Sequence, residues 1–120
     1  MDEKDIAILR NANIDYEDIT ERFEGNEALY LKLAELFLSD PHMANIEAAF
    51  AEGDLGEAER ESHALKGVAG NLSLTNLHQL AARMNDLLKA HDEQAATTLL
   101  PQLDEAYSEA IQALRAILRK

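Results

Sequence analysis

Leucine and phenylalanine recur at intervals of three and four along most of this chain, the spacing of a helix face. Leu29, Leu33, Leu36 and Phe37 mark one such face, with Asn26 ahead of them as candidate N-cap. Pro41 interrupts the pattern. It either starts a new helix capped by Asp40 or kinks one that continues through Ile46, Ala49 and Phe50 to Gly53. Asp54 opens the next helix, and Glu57 three residues later makes an acidic analogue of a capping box. A further helix begins near Thr75, where Leu80, Met84 and Leu87 read as core. After a His91-Asp92 turn, a last helix runs to about Leu118, kinked or restarted at Pro101. Ahead of all these, the pattern predicts a short helix over Asp5 to Arg10 and a second capped by Asp15, with Ile19 and Phe23 as apolar contacts. Four substantial helices with short connections predict an all-α fold, an antiparallel four-helix bundle with short additional N-terminal helices. No linker or repeat divides residues 1–120, so a single domain is expected.

Composition narrows the function classes. The chain has no Cys, which removes disulfides, thiolate nucleophiles and cysteine-based zinc sites together. A net charge of -12 argues against nucleic acid and anionic membrane, and suits either a solvated acidic surface or a partner with a basic rim. No apolar run approaches the ~20 residues that span a bilayer, and the acidic N-terminus has no signal-peptide character. A cytoplasmic monomer without membrane insertion is the expectation.

The segment from Leu55 to Leu72 carries the candidate chemistry. Leu55, Ala58, Ser62, Leu65, Ala69 and Leu72 follow each other at threes and fours and form a bundle-facing seam. At about 100° per residue His63 lies away from that seam, and Gly67 and Gly70 stack on its side, with Lys66 flanking them. Each glycine costs roughly 1 kcal/mol against alanine in a helix interior. Bare backbone beside an exposed histidine lets another protein approach the imidazole, which accounts for that cost as a docking requirement. An imidazole offers a nitrogen lone pair at physiological pH, and a nearby ammonium stabilises charge on incoming phosphoryl oxygens. The residue types suit phosphoryl transfer to nitrogen.

His63-Ala64-Leu65-Lys66-Gly67 matches the core motif of histidine-containing phosphotransfer (Hpt) domains, which the chain resembles over most of its length. Asn26 to Tyr30 with the Leu-Phe pattern after it looks like that family's first bundle helix, and the helix from Thr75 looks like a partner of the histidine helix. The resemblance implies that His63 takes a phosphoryl group from a receiver-domain aspartate and passes it to another, with Lys66 assisting the phosphate and Gly67 keeping the approach open. It implies response-regulator receiver domains as partners, including those a hybrid sensor histidine kinase can carry. It also implies Asn85 as a polar residue that hydrogen-bonds the histidine, and Lys89 near the same site. Glu59 and Gly70 complete the expected partner-binding set. Ser73 departs from the pattern, which commonly has glycine there.

No cofactor or metal is expected on this chain, Mg²⁺ belonging to the partner receiver. A di-metal carboxylate bundle needs Glu-x-x-His pairs, and no Glu lies three residues before any of the four histidines. His42, His78 and His91 read as ordinary polar positions. The chain has no glycine-rich phosphate loop, so no autonomous kinase activity is expected. The alternative to phosphotransfer is a non-catalytic helical adaptor or an Hpt-like protein that inhibits a kinase, and intact His63 and Lys66 argue against the latter.

Overall fold

The computed structural model describes every residue from Met1 to Lys120. Its seven helices are α1 (Glu3–Asn11), α2 (Tyr16–Arg22), α3 (Glu27–Phe37), α4 (His42–Glu52), α5 (Leu55–Asn71), α6 (Thr75–Lys89) and α7 (Glu93–Leu118). The helix starts follow from short polar side chains that satisfy orphan backbone donors. Asp15, Asn26 and Asp54 each accept from the N–H three residues on, as predicted, and Asp2 and Asp92 do the same. The capping box at Asp54 is half formed, because the Glu57 carboxylate turns to Arg60 at 2.6 Å and leaves only the Asp54 arm in place.

Both prolines resolve an open choice. Pro41 restarts the chain: α3 ends at Phe37, and the Asp40 carboxylate accepts from the His42 N–H at 3.0 Å as α4 begins. Pro101 lies inside an unbroken α7. That helix, about 39 Å long at 1.5 Å per residue, runs nearly the full 43 Å of the molecule.

The α3–α4 pair, α5, α6 and α7 form the four columns of the bundle, with α5 between α4 and α6, α6 next to α7, and both α3 and α4 against α7. Its core includes Met43, Ile46, Leu65, Leu77, Met84, Leu103 and Leu114, each no more than 2% exposed. Burying a side chain of this size stabilises the fold by roughly 1.5–3 kcal/mol. Helix α1 lies against α7. The loop from α1 to α2 pairs with the α5–α6 corner, where Ile14 bridges Leu74 and the Thr75 and Asp15 N–H groups bond the Asn13 and Ser73 carbonyls. No helix is long and apolar enough to cross a membrane.

One predicted face is turned outward. Helix α3 buries Tyr30, Ala34 and Phe37, whereas Leu29, Leu33 and Leu36 are 44%, 36% and 64% exposed. Both rows have helical spacing, and the aromatic row wins because its members find partners. The Tyr30 hydroxyl donates to the Leu72 carbonyl at 2.8 Å, and Phe23 packs edge-on against the Tyr30 ring at 5.3 Å.

Candidate functional site

Helix α5 divides as its sequence requires. Ala58, Ser62, Leu65 and Ala69 are buried against the bundle, and His63 faces solvent in mid-helix. The histidine-ring hydrogen bonds within the chain belong to His42 and His78, so the His63 ring is free of internal partners. One turn on, Gly67 is exposed, and a β-carbon built there would meet nothing within 4 Å. Lys66 is half-buried beside it and forms no ion pair. The structure thus brings together an unpartnered imidazole, a free ammonium and bare helix backbone.

Gly70 serves a different purpose from the expected docking role. A β-carbon there would lie 3.0 Å from His78 Nδ1 and 3.2 Å from Cε1. The imidazole of His78 on α6 lies over this stretch of α5, and its Nδ1–H donates to the Lys66 carbonyl at 2.8 Å. Gly70 makes room for that ring. His78 read as an inconsequential polar position, and the signal that could have exposed it was the second glycine, whose absent side chain needed a neighbour.

Asn85 is likewise corrected. It is fully buried, so it cannot meet a partner, and its side chain bonds the backbone of α5 instead of the His63 ring. Its Nδ2 donates to the Glu59 carbonyl at 2.9 Å and reaches Ser62 Oγ at 3.3 Å, while its Oδ1 has no partner in the chain. This buried amide clamps α6 to the turn of α5 just before His63. Glu59 itself is half-buried, and its carbonyl rather than its carboxylate makes the contact.

The two bonded pairs, His78 with Lys66 and Asn85 with Glu59, set the antiparallel register of α5 and α6. Continued by one turn, that register puts exposed Lys89 level with Leu55, about two turns from His63 rather than beside it. Another tie holds α4 to α5. His42 Nδ1 lies 2.5 Å from the Glu61 carboxylate, and Asn45 donates to the same group at 3.2 Å. Burial works against the Glu61 charge, but these two partners hold its pKa below the ordinary value.

Ser73 adopts φ 59°, the left-handed conformation that closes α5 and explains the glycine expected there. The Leu74 N–H reaches back to the Ala69 carbonyl at 2.9 Å, as such a helix end requires. Here the serine has its own use: its hydroxyl donates to Asp18 Oδ2 on α2 at 2.6 Å.

Against the C-terminal half of α5 lies an apolar surface that the helical spacing of α3 had assigned to the core. Leu33 and Leu36 border a shallow cleft of about 230 Å³ with Val68 and Asn71 of α5. Val68 follows Gly67 in the chain, so the leucine row meets the histidine helix about 100° around from its open stripe.

Residues 33–116 match the family model described as Hpt domain. No curated protein matches the chain, and no solved structure does.

Proposed function

Since the chain belongs to the Hpt domain family and so has a phosphotransfer role in two-component signalling, we propose that His63 takes a phosphoryl group from the aspartyl phosphate of one receiver domain and gives it to another. The observation that carries this reading is the free, exposed imidazole of His63 with open backbone at Gly67 one turn away. An imidazole nitrogen attacks phosphorus, an N–P bond forms, and the acyl-phosphate P–O bond breaks with its electron pair going to the leaving carboxylate. Transfer onward reverses these changes with a second receiver's carboxylate as nucleophile. Both partners then meet the same helix face.

Lys66 stands one turn from His63 with its ammonium unpaired, within reach of phosphoryl oxygens on the ring. In the narrow space between two docked proteins such a charge acts more strongly than in water. The exposed Leu33 and Leu36, which border a cleft with Val68 and Asn71 of α5, supply apolar docking area. Any Mg²⁺ that the acyl phosphate requires comes with the receiver. The test is transfer from phosphorylated receiver domains to the wild-type protein and to His63→Gln. The wild type should gain an acid-labile label, and His63→Gln should fold normally and gain none. Equal labelling of the variant would remove His63 as the carrier.

A further inference from the structure

A polar cleft of about 400 Å³ starts at Lys66 and Gly67 and runs past Gly70 and His78 to Ser73, Asp18 and Arg22. It therefore begins one turn from His63 and ends on α2. Its far wall lies outside residues 33–116, the part of the chain that matches the family model. On a chain with 11 Lys and Arg against 23 Asp and Glu, two cations, Arg22 and Lys66, line this one cleft against the single carboxylate of Asp18.

The wall is firmly placed. Asp18 takes the buried Ser73 hydroxyl at 2.6 Å, and backbone bonds join Asp15 to Ser73 and Thr75 to Asn13 at 3.1 Å each. Arg22 is not required for this attachment. It reaches only Asp18 Oδ2, with Nη2 at 3.2 Å and Nε at 3.4 Å, and its side chain is 46% exposed. Its Nη1 donors are unused. A guanidinium in this state can donate to a second carboxylate. His78 spends its Nδ1–H on the Lys66 carbonyl, which leaves Nε2 as the ring's only free polar atom.

We infer that this cleft is a specificity site, in which Arg22 receives an acidic side chain of the receiver that has docked over His63, while Lys66 at the other end is left to the phosphoryl group. The inference rests on the phosphotransfer reading, because a partner seated on His63 and Gly67 covers the mouth of the cleft. The occupant is a carboxylate because the free donors of Arg22 are cationic and the other anion of this contact, the phosphoryl group, is attached to His63 beyond the Lys66 end of the cleft. Helix α2, held by Ser73, thereby helps decide which receivers are served.

The test measures dissociation constants for purified receiver domains encoded in the same genome, at low and high salt, alongside label transfer from those receivers phosphorylated by acetyl phosphate. Arg22→Glu should weaken binding of the preferred receiver by roughly tenfold or more at low salt, and the defect should shrink at high salt. Asp18→Asn separates the two roles of Arg22. It removes the competing charge while its side-chain oxygen can still accept from Ser73, so binding should tighten a few-fold. If Arg22→Glu binds like the wild type, or Asp18→Asn and Arg22→Glu weaken binding alike together with the melting temperature, the cleft is a folding contact and the inference is overturned. Wild-type protein that accepts label while Arg22→Glu binds every receiver normally sinks the cleft and leaves the transfer reading standing. Wild-type protein that binds receivers in an Arg22-dependent way without accepting label does the reverse. A wild type that binds no receiver overturns both.

Discussion

Replacing Gly67 or Gly70 by alanine adds the same methyl group to the same helix, yet the surroundings of the two positions call for different outcomes. At Gly67 the new β-carbon meets nothing within 4 Å. The whole helix-propensity difference, about 1 kcal/mol, should then appear as added stability. For a domain of this size that is a rise of roughly 4 °C in melting temperature. At Gly70 the same gain is opposed, because the methyl would sit 3.0 Å from His78 Nδ1. The ring must shift by a few tenths of an ångström, and it is tethered to the Lys66 carbonyl at 2.8 Å. Losing that hydrogen bond costs about 0.5–1.5 kcal/mol, so Gly70→Ala should be near neutral, within about 0.5 kcal/mol of the wild type in either direction.

A double-mutant cycle isolates the cause. In a His78→Ala background the obstacle is gone, and Gly70→Ala should recover the full gain seen at Gly67, giving a coupling of about 1 kcal/mol between positions 70 and 78. Urea unfolding monitored by circular dichroism measures all four proteins. If Gly70→Ala stabilises the wild type as much as Gly67→Ala does, the ring moves aside freely and the account of Gly70 is wrong. The same pair of variants separates stability from function. Gly67→Gln should slow transfer from a phosphorylated receiver without loss of stability, since its side chain stands where the partner approaches.

Asn85→Ala should lower stability by roughly 1–3 kcal/mol, because the Glu59 carbonyl and Ser62 lose a buried partner. Receiver affinity should be unchanged, and calorimetry on variant and wild type checks both halves. At Ser73, alanine keeps the left-handed strain and loses the bond to Asp18, whereas glycine relieves the strain, so Ser73→Ala should be less stable than Ser73→Gly by about 1 kcal/mol. The Ser73 hydroxyl first, and then Arg22, holds the Asp18 carboxyl below its ordinary pKa. A depressed acid stabilises the fold above its unfolded value of about 3.9, and that contribution is lost as pH falls through the folded value. The gap between wild type and Ser73→Ala should therefore be constant near neutrality and close in acid, as thermal melts across the pH range will register. Leu36→Glu, at a position 64% exposed, should leave the melting temperature within a few degrees and weaken receiver binding at least several-fold in a titration.

How far the sequence could be read depended on whether a residue's partner was near it in the chain. Caps at Asp15, Asn26 and Asp54 are satisfied three residues away, so their spacing alone locates them. The α5 seam is legible for the same reason: Leu55 to Leu72 offers only one apolar face, and the outward position of His63 follows from it. Helix α3 offers two. Leu29, Leu33 and Leu36 form one row and Tyr30, Ala34 and Phe37 the other, and helical periodicity cannot rank them. The choice is made by Leu72, 42 residues away, which accepts from the Tyr30 hydroxyl, and by Phe23 of the preceding turn, whose ring meets the Tyr30 ring edge-on. Asn85 and Gly70 were misplaced by the same blindness, since each is defined by a residue on the facing helix, Glu59 for one and His78 for the other. The leucine row illustrates why such errors gather near the site. A face left unpaired by the fold is apolar without being core, and here it meets the histidine helix at Val68 and Asn71. The chain's own packing gives no reason to keep three large leucines in water, whereas the docking partner proposed for His63 gives one.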